Sequence, residues 1–397
     1  MMEILFQRYY EKYSQTSLRM VRDFMQSVDW SNRFVGIRGC RGVGKTTLLL
    51  QYLKQNYKPD HRALYTSLDH LWFSDHSLYD LAYEFRSKGG ELLALDEVHR
   101  YPAWAVELKN IYDDFPELKV IFTGSSLLHL TKAKADLSRR AVMYEMPGLS
   151  FREFLRFDQI ATLPVIQIED LFHNHIEPAL EINRTIKPLQ HFKKYLQYGY
   201  YPFYLENLKS FHQKLHETIQ VTLEVDIPQF ESIPTSHIIL LKRLLQVISG
   251  SVPFKPNMNA ISQRTGISLN TLKKYLNFLS EAGLVTRLMP PGKGINNLNK
   301  PEKVFLGNTN LMYSLAPENT ETGNIRETFF ISQMYNQNVH AAPRADFQVN
   351  GKYLVEIGGK NKAQHQIQGQ PNGFIIKDQI ETGYENVIPL WLFGFLF

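Results

Sequence analysis

The sequence predicts an α/β protein in which a parallel sheet with crossover helices occupies the first part of the chain. Two observations carry this prediction. Between Phe34 and Met146, short β-branched or aliphatic runs alternate with stretches of helical spacing, as in a parallel sheet. From residue 151 onwards helical spacing dominates, and strand-like runs return only towards the end. A helical region and a small α+β region are therefore expected to follow the sheet.

These changes of pattern divide the 397 residues into four predicted domains. Residues 1–150 open with a helical stretch and then carry the sheet, whose candidate strands are Phe34–Arg38, Ala63–Ser67, Leu92–Asp96, Val120–Thr123 and Ala141–Tyr144. Residues 151–250 are predicted to be a helical segment. Residues 251–315 have a helix–helix–hairpin pattern, and residues 316–397 form the small α+β domain.

Composition excludes several classes of protein. Hydrophobic residues make up 44% of the chain and aromatic residues 13%, which excludes a disordered protein. The single cysteine excludes an internal disulfide and a cysteine-based zinc site. No apolar stretch reaches the roughly 17–25 residues of a membrane span, and the charged, aromatic N-terminus lacks the apolar core of a secretory signal. We therefore expect a soluble, cytoplasmic protein with no membrane partner.

One segment has the strict spacing of a phosphate-binding loop. Residues 39–46, GCRGVGKT, fit the pattern G-x-x-x-x-G-K-[ST] between a predicted strand and a predicted helix. In such a P-loop the backbone amides surround a phosphate, the lysine reaches the β- and γ-phosphates, and the hydroxyl holds Mg²⁺. The predicted cofactors are therefore a nucleoside triphosphate and Mg²⁺, and the predicted nucleotide-binding residues are Gly39, Gly42, Val43, Gly44, Lys45, Thr46 and Thr47.

Cys40 lies inside this loop, next to the N-terminus of the predicted helix. Because helix N-termini lower the pKa of a thiol, we hypothesise that oxidation of Cys40 inhibits nucleotide binding. The alternative is an inert residue that the loop tolerates.

Two carboxylates follow the apolar run Leu92–Leu95. Asp96 at the strand tip can hold the Mg²⁺ shell, and Glu97 can polarise the water that attacks the γ-phosphate. A nucleotide switch needs only the first of them, whereas a hydrolase needs both. The alternative is a pair of acids exposed to solvent.

Two further positions complete the predicted site. If the strand Val120–Thr123 lies between the P-loop strand and the Asp96 strand, Ser125 faces the γ-phosphate and can donate a hydrogen bond to it; otherwise residues 124–126 are a plain turn. Arg140 can stabilise charge on the transferring phosphoryl group. Solvated arginines are the alternative at residues 139 and 140.

In this order and spacing, the motifs GIRGCRGVGKTTLLLQYLK, LLALDEVHR, VIFTGSS, LSRRAVMYEM and LSFREFL resemble the AAA-type ATPases of a prokaryotic ATP-binding family. Its members carry a C-terminal domain of unknown function with a nuclease-like fold, and the resemblance extends over nearly the whole chain. It implies that Lys45 and Thr46 are P-loop ligands, that Asp96 and Glu97 are the Walker B pair, and that Ser125 is the sensor. The family usually has Gly-Arg where this chain has residues 139–140, so Arg140 matches the finger-like arginine and Arg139 departs from the pattern.

Residues 251–315 have the pattern of a winged helix-turn-helix. Between Ser251 and Phe305 the net charge is +6, from eight Lys and Arg against two Glu. Leucines at 269, 272, 276 and 279 predict one buried face of the second helix, and residues 290–294 resemble a wing. The residues predicted to contact DNA lie off that face and are Asn270, Lys273 and Lys274. The alternatives are a solvated surface and a module that makes only protein contacts.

The last predicted domain resembles the core of PD-(D/E)xK nucleases, in which two acids and a lysine gather Mg²⁺ and water. The candidate residues are Glu327, Asp346, Glu356 and Lys360, the lysine standing in because Gly358 occupies its usual place. A two-residue turn in the hairpin at Asn350-Gly351 would put Asp346 and Glu356 on opposite faces, whereas a three-residue loop would set them directly opposite each other. We expect an inactive scaffold rather than a working nuclease.

Together these predictions describe a Mg²⁺-dependent ATPase whose hydrolysis is coupled to binding or remodelling a macromolecule, with DNA as one candidate partner. The alternative is a slow, ATP-bound regulatory switch that recruits a protein partner through its C-terminal domains. The sequence does not define the oligomeric state, nor whether Arg140 acts in its own chain or in a neighbour.

Overall fold

The computed structural model describes residues 2–125, 137–230, 233–251, 253–255, 257–292, 301–319, 321–362, 367, 369–370 and 372–397. The chain forms two compact units. The first consists of Met1–Pro147 and Glu224–Ser232, and the second of Gly148–Leu223 and Ile233–Phe397.

The predicted boundary at 150 lies close to the first unit boundary, whereas those at 250 and 315 do not separate compact units. The reason is that the helix Phe211–Val221 packs against the helix Thr309–Leu315, where His216 Nε2 lies 2.8 Å from the Ser314 carbonyl oxygen. The division into four domains stays a prediction.

The elements of the first unit alternate as expected for a parallel sheet with crossover helices. They are α1 (Glu3–Gln15), α2 (Phe24–Ser27), β1 (Phe34–Gly39), α3 (Lys45–Asn56), β2 (Ala63–Ser67), a 3₁₀ turn (Leu71–Ser74), α4 (Leu78–Ser87), β3 (Leu92–Asp96), a 3₁₀ turn (Val98–Arg100), α5 (Trp104–Asp114), β4 (Lys119–Ser125) and β5 (Val142–Glu145).

The five strands form one parallel sheet in the order β2-β3-β4-β1-β5. Apolar side chains such as Phe34, Leu93 and Phe122 are buried on it. The strand β4 lies between the P-loop strand and the Asp96 strand, which is the arrangement that the Ser125 prediction requires. Because all five strands run in the same direction, Asp96 and Ser125, the last residues of β3 and β4, lie at the same edge of the sheet as the P-loop that follows β1, the edge formed by the carboxyl ends of the strands.

The second unit begins with helices and ends with a mixed sheet. Its elements are α6 (Phe151–Phe157), α7 (Ile168–Asn174), α8 (Ile176–Thr185), α9 (Pro188–Tyr198), a 3₁₀ turn (Pro202–Leu205), α10 (Phe211–Val221), α11 (Thr235–Ser249), α12 (Met258–Thr265), α13 (Leu269–Glu281), β6 (Val285–Leu288), β7 (Lys303–Leu306), α14 (Thr309–Leu315), a 3₁₀ turn (Pro317–Asn319), α15 (Thr322–Gln333), β8 (Val339–Ala342), β9 (Ala345–Val349), β10 (Tyr353–Gly358), β11 (Gly373–Lys377), β12 (Val387–Pro389) and a 3₁₀ turn (Leu390–Phe395).

The strands of the second unit form a five-stranded sheet, β12-β11-β10-β9-β8, and the separate pair β6-β7. Clustered aromatic rings fill the core beside α9 and α15. The ring centroids of Phe151 and Phe192 are 5.2 Å apart, and those of Phe192 and Phe329 are 4.7 Å apart. Residues 387–395, which form β12 and the 3₁₀ turn after it, are buried. Among the described residues, no helix is long and apolar enough to cross a membrane.

The predicted helix–helix–hairpin order is present as α12, α13, β6 and β7. The Asn257 and Ser268 side chains cap the two helices by accepting hydrogen bonds from the amides of Ala260 (3.1 Å) and Thr271 (3.2 Å). Leu269, expected in the buried face of α13, is instead 40% exposed, because it begins the helix and the buried face starts one turn later. The predicted wing extends to residue 294, and its residues 293–294 lie outside the described residues.

Candidate nucleotide-binding site

The loop between β1 and α3 has a backbone conformation that its glycines permit. Gly42 and Gly44 have φ values of 88° and 99°, in the left-handed region that residues with a Cβ rarely adopt. The helix α3 begins directly after Gly44, so its first amides and its dipole favour an anion at the loop. The buried Lys45 ammonium donates to the carbonyl oxygens of Gly39 (2.8 Å) and Cys40 (3.1 Å). The loop thus brings together the groups that bind a phosphate chain.

The thiol of Cys40 does not have the chemistry expected of a reactive cysteine. Burial raises the pKa of Cys40 to about 11, although the nearby Lys45 ammonium acts in the opposite direction. The expectation of a lowered thiol pKa is therefore wrong, because desolvation outweighs the positive charge and the helix terminus. Since the thiolate is the nucleophile, little of it is present near neutral pH, and the oxidation hypothesis loses its chemical basis.

Asp96 is the most densely hydrogen-bonded carboxylate of the site and is 2% exposed. Its Oδ2 accepts hydrogen bonds from the Thr46 hydroxyl (2.7 Å) and the Tyr65 hydroxyl (2.9 Å). Its Oδ1 accepts a hydrogen bond from the Thr123 hydroxyl and another from the Glu97 amide (3.1 Å). All of these donors are neutral, so they orient the carboxylate without compensating its charge.

This arrangement fits a magnesium ion. Thr46 Oγ1 and Asp96 Oδ2 are two hard oxygen atoms 2.7 Å apart beside the P-loop, and Mg²⁺ binds to proteins through few carboxylate or hydroxyl oxygens together with substrate phosphates. A divalent cation would also supply the positive charge that the neutral donors of Asp96 lack. The predicted ligands Thr46 and Asp96 are thus adjacent.

Glu97 is held in an uncommon backbone conformation at the end of β3. Its φ is 52°, in the left-handed region, and such strain is concentrated at functional sites. Burial raises the pKa of Glu97, the Lys45 ammonium opposes that shift, and the Asp96 carboxylate adds to it. A carboxylate with a raised pKa is a stronger base, which suits a group that accepts a proton from water.

His99 connects Glu97 with Ser125. The imidazole Nε2 lies 3.4 Å from Glu97 Oε2, and Nδ1 accepts a hydrogen bond from the Ser125 amide (3.3 Å). Burial lowers the pKa of His99 to about 4, so the ring is neutral near pH 7. At the end of β4, Ser125 pairs with Gly39 of β1, which places it beside the P-loop, while its sensor role stays a prediction.

Arg140 lies far from the P-loop of its own chain. Its guanidinium forms two hydrogen bonds to the Asp113 carboxylate, of 2.9 and 2.8 Å. Asp113 is in the last turn of α5, before β4 begins, and Arg140 itself precedes β5. Both therefore lie at the edge of the sheet where the parallel strands begin, opposite the edge with the P-loop. In this arrangement the Arg140 guanidinium is paired with Asp113, and its finger-like role stays a prediction.

Several site residues were not among the sequence predictions. Tyr65 and Thr123 supply hydroxyl donors to Asp96, and His99 contacts Glu97. Thr123 had a usable signal, since it is a hydroxyl residue at the end of an apolar strand. A cavity of about 830 Å³ opens beside these groups and is lined in part by Arg41, Thr46, Asp96, Glu97 and Arg100.

In the second unit, the three residues predicted to contact DNA are exposed on α13. Asn270, Lys273 and Lys274 all project to solvent, and the Lys274 ammonium lies 5.8 Å above the Phe278 ring. The structure thus leaves these polar groups accessible to a partner, while Leu272 and Leu276 are buried beneath them.

The acidic residues of the predicted nuclease-like site lie close together in the second unit, but Lys362 takes the place predicted for Lys360. Val349 pairs with Tyr353 in the β9–β10 hairpin, which is the register of the three-residue loop. Asp346 Oδ2 accepts a hydrogen bond from the Ile357 amide (2.9 Å). The predicted Lys360 is exposed, and Lys362 instead forms a 2.5 Å ion pair with Glu356.

The physical reason for this exchange lies at Gly358. A Cβ added to Gly358 would lie 2.5 Å from Cβ of Lys362, so the lysine stem already fills the space of the missing side chain. Lys303 of β7 adds a second ammonium that donates to Glu327 (3.0 Å) and Asp346 (3.3 Å). We call Lys303, Glu327, Asp346, Glu356 and Lys362 the acid–lysine cluster.

The charges in the acid–lysine cluster shift one another. Burial raises the pKa of Glu327, and the Asp346 carboxylate adds to that rise while the Lys303 ammonium opposes it. Burial acts to lower the pKa of Lys303, but the two carboxylates outweigh it and the pKa is raised. The ammonium of Lys303 is therefore a stable cation between two acids.

Comparison with known proteins agrees with the geometry of the first unit. Residues 31–155 match the family described as AAA domain. Residues 189–322 match a domain of unknown function, DUF8612. No curated protein matches the sequence.

Solved structures give weaker likenesses. The Aeropyrum pernix Orc1 protein in complex with DNA has 13% identity, over 80% of this chain and 92% of that chain, with a TM-score of 0.32. AMPPCP-bound DnaA from Aquifex aeolicus has 16% identity, over 68% of this chain and 86% of that chain, with a TM-score of 0.26. Scores this low establish nothing about function.

The AAA match, by contrast, spans the P-loop, Asp96, Glu97 and Ser125, the same residues that the parallel sheet gathers at one edge. Sequence, fold and site geometry agree over this segment. Residues 31–155 of this chain therefore form a P-loop domain of the AAA type.

Proposed function

We propose that this protein binds ATP with Mg²⁺ and hydrolyses it, and that hydrolysis is coupled to binding a macromolecule. The observation that carries the first part is the pair of carboxylates at the end of β3. Asp96 is buried among neutral donors and adjacent to the Thr46 hydroxyl, whereas Glu97 has a raised pKa and lines the cavity beside it. A metal-binding acid and a separate basic carboxylate are what a hydrolase needs.

Each residue then has one task. Lys45 neutralises the β- and γ-phosphates, and the amides of the P-loop surround them. Thr46 and Asp96 would hold Mg²⁺, which when bound reduces the negative charge on the phosphate oxygens. Glu97 in its deprotonated form orients the attacking water and accepts its proton. His99, neutral and 3.4 Å from Glu97, positions that carboxylate.

A phosphate-release assay tests this proposal. Wild type should hydrolyse ATP with Mg²⁺ and stop when the metal is chelated. Lys45→Ala should lose both ATP affinity and turnover, because the charge that neutralises the phosphates is removed. Glu84→Gln is the matched control, since it removes one partner of an ion pair with Lys88 on α4 and should leave turnover unchanged. ATP binding that survives Lys45→Ala at full strength would contradict the assignment of the loop.

The proposed macromolecular partner is DNA, bound by α13. Its support is the exposure of Asn270, Lys273 and Lys274 on one helix of a basic segment. Replacing both lysines by glutamine should weaken binding and reduce the slope of log affinity against log salt by roughly 0.9 for each phosphate that the helix no longer neutralises. The control replaces the exposed Lys187 and Lys193, which removes equal charge elsewhere. Equal weakening in both variants would mean that α13 does not bind the DNA.

The alternative proposal, a slow ATP-bound switch, is favoured by one observation. Because burial raises the pKa of Glu97, this carboxylate stays protonated, and inactive as a base, up to a higher pH than an ordinary glutamate. Fast hydrolysis stimulated by DNA supports the coupled ATPase. Nucleotide that copurifies with the protein, together with negligible turnover, supports the switch.

We also propose that the acid–lysine cluster is an inactive scaffold. The support is Lys303, whose ammonium contacts both Glu327 and Asp346 and supplies the positive charge that a nuclease would take from a metal. Supercoiled and linear DNA should therefore remain intact with Mg²⁺ or Mn²⁺. Cutting that depends on the metal and disappears in Asp346→Ala would overturn this proposal.

A further inference from the structure

Asp226 is a buried carboxylate that links two arginines of the nucleotide-binding unit. Its side chain is 4% exposed. Arg41 donates to it twice, from Nε to Oδ2 (3.0 Å) and from Nη2 to Oδ1 (2.8 Å). Arg100 donates from Nη2 to the same Oδ1 (2.9 Å). One carboxylate therefore holds two guanidinium groups.

Both arginines belong to the loops that carry the predicted chemistry. Arg41 lies inside the P-loop, and Arg100 ends the 3₁₀ turn that follows Glu97. Both line the cavity that also contacts Thr46, Asp96 and Glu97. If ATP binds as proposed above, its terminal phosphate lies at this end of the loop, next to Thr46. The guanidinium groups thus stand beside the place where the most negative part of the ligand would be.

A terminal phosphate competes well with a carboxylate for these groups. Guanidinium matches phosphate oxygens in geometry, and hydrogen bonds between two charged partners are the strongest of their kind. The phosphate also carries more negative charge than Asp226. ADP lacks that phosphate and would leave the arginines with the carboxylate.

We propose that Asp226 competes with the γ-phosphate of ATP for Arg41 and Arg100, and that ATP binding releases the chain segment around Asp226. This inference rests on the proposed ATP binding. In it Arg41 and Arg100 are γ-phosphate sensors, and Asp226 is the group that restrains them when ADP is bound.

Release of the arginines requires the Asp226 segment to move. A buried charge without a partner is strongly destabilising, so a carboxylate that loses both guanidinium groups must reach solvent or a new donor. Asp226 ends a π-helical turn, Thr222–Asp226, and such turns are frequent at functional sites.

The position of this segment in the chain gives the movement a consequence. Residues 224–232 belong to the first unit, whereas the chain on both sides of them, up to Leu223 and from Ile233, belongs to the second. A movement of the backbone at Asp226 is therefore transmitted through the chain to α10, which precedes this segment, and to α11, which follows it. The γ-phosphate would in this way alter the unit that carries the predicted DNA-binding helix.

Hydrogen exchange on the wild-type protein tests the proposal directly. With Mg²⁺ and a non-hydrolysable ATP analogue, amides of residues 222–230 should exchange about tenfold faster than with Mg²⁺ and ADP, which corresponds to about 1.4 kcal/mol. Peptides covering residues 39–56 report binding in the same samples. Protection there with both nucleotides, and equal exchange at 222–230, would overturn the inference. Absence of protection at 39–56 would instead overturn the proposed ATP binding.

A variant separates competition from a purely structural ion pair. Asp226→Asn keeps the shape but weakens the hold on both arginines, so the preference for the ATP analogue over ADP should increase about tenfold. Adding Arg41→Ala and Arg100→Ala should abolish that increase. Glu84→Gln, the matched acid-to-amide control, should not change the preference. An unchanged preference in a folded Asp226→Asn variant would overturn the inference, and the exchange experiment decides on wild type if this variant does not fold.

Discussion

The nucleotide site of the first unit and the acid–lysine cluster of the second surround their carboxylates with different partners. Asp96 receives hydrogen bonds from the neutral donors Thr46, Tyr65 and Thr123. In the cluster, ammonium groups contact the acids directly, as Lys303 does with Glu327 and Asp346. Neutral donors orient a carboxylate and leave its charge for a cation to neutralise. An ammonium group instead compensates the negative charge of the carboxylate and so weakens its attraction for a metal ion.

The largest expected effect is on the rate of hydrolysis, in a variant that lacks the proposed base but keeps the proposed metal ligand. Glu97→Gln retains the volume but cannot accept a proton, while Asp96 still holds Mg²⁺. Hydrolysis should fall about 10²–10⁴-fold, or roughly 2.7–5.5 kcal/mol of transition-state stabilisation, with near-normal ATP binding. Single-turnover hydrolysis and equilibrium binding measure the two separately. Wild-type turnover in Glu97→Gln would show that Glu97 is not the catalytic carboxylate.

The next largest effect is on stability, in a variant that lacks the Lys303 ammonium of the acid–lysine cluster. Lys303→Met leaves the partly buried Glu327 and Asp346 without their cation. Because breaking a fully buried pair costs about 3–5 kcal/mol, the cost here should lie at or below the low end of that range. Since loss of Lys303 raises the pKa of Glu327 further, the destabilisation should shrink as the pH falls and that carboxyl is protonated. Urea denaturation at pH 8 and pH 5 measures this. A cost that does not depend on pH would mean that the pair contributes packing rather than charge.

A smaller effect tests the neutral donors of Asp96. Tyr65→Phe removes one hydroxyl that donates to the buried carboxylate, and a hydrogen bond to a charged group contributes about 1.5–3 kcal/mol. Stability should fall by about that amount in the absence of Mg²⁺, and less in its presence, because the metal compensates the same charge. Tyr83→Phe, an exposed tyrosine of α4, is the control and should change little.

The smallest effect is a pH dependence. Glu97 acts as a base only when deprotonated, and its pKa is raised by burial, so turnover should decline with falling pH at a higher pH than for an ordinary glutamate. His99, with a pKa of about 4, is neutral between pH 5 and pH 9. A rate profile from pH 5 to 9, with His99→Gln beside wild type, checks the assignment. If the decline disappears in His99→Gln, the titrating group is the histidine.

Much of the first unit followed from the sequence because its signals are local. The strand Leu92–Asp96 matches its prediction at both ends, and the P-loop follows β1 as its glycines and lysine require. The P-loop spacing alone fixes which backbone amides can surround a phosphate. The register of the β9–β10 hairpin, by contrast, was left between two alternatives that only the pairing of Val349 with Tyr353 decided.

By itself, then, the sequence determined the parallel sheet, the P-loop and the acidic pair at positions 96 and 97, since each depends on residues near one another in the chain. Only the tertiary structure decided which distant groups meet them. Lys362 rather than Lys360 reaches Glu356, Arg140 pairs with Asp113 at the far edge of the sheet, and Asp226 bonds to Arg41 across 185 positions of the sequence. Periodicity and spacing carry no information about such contacts, because they depend on how whole elements pack and on which charge is nearest once they have packed.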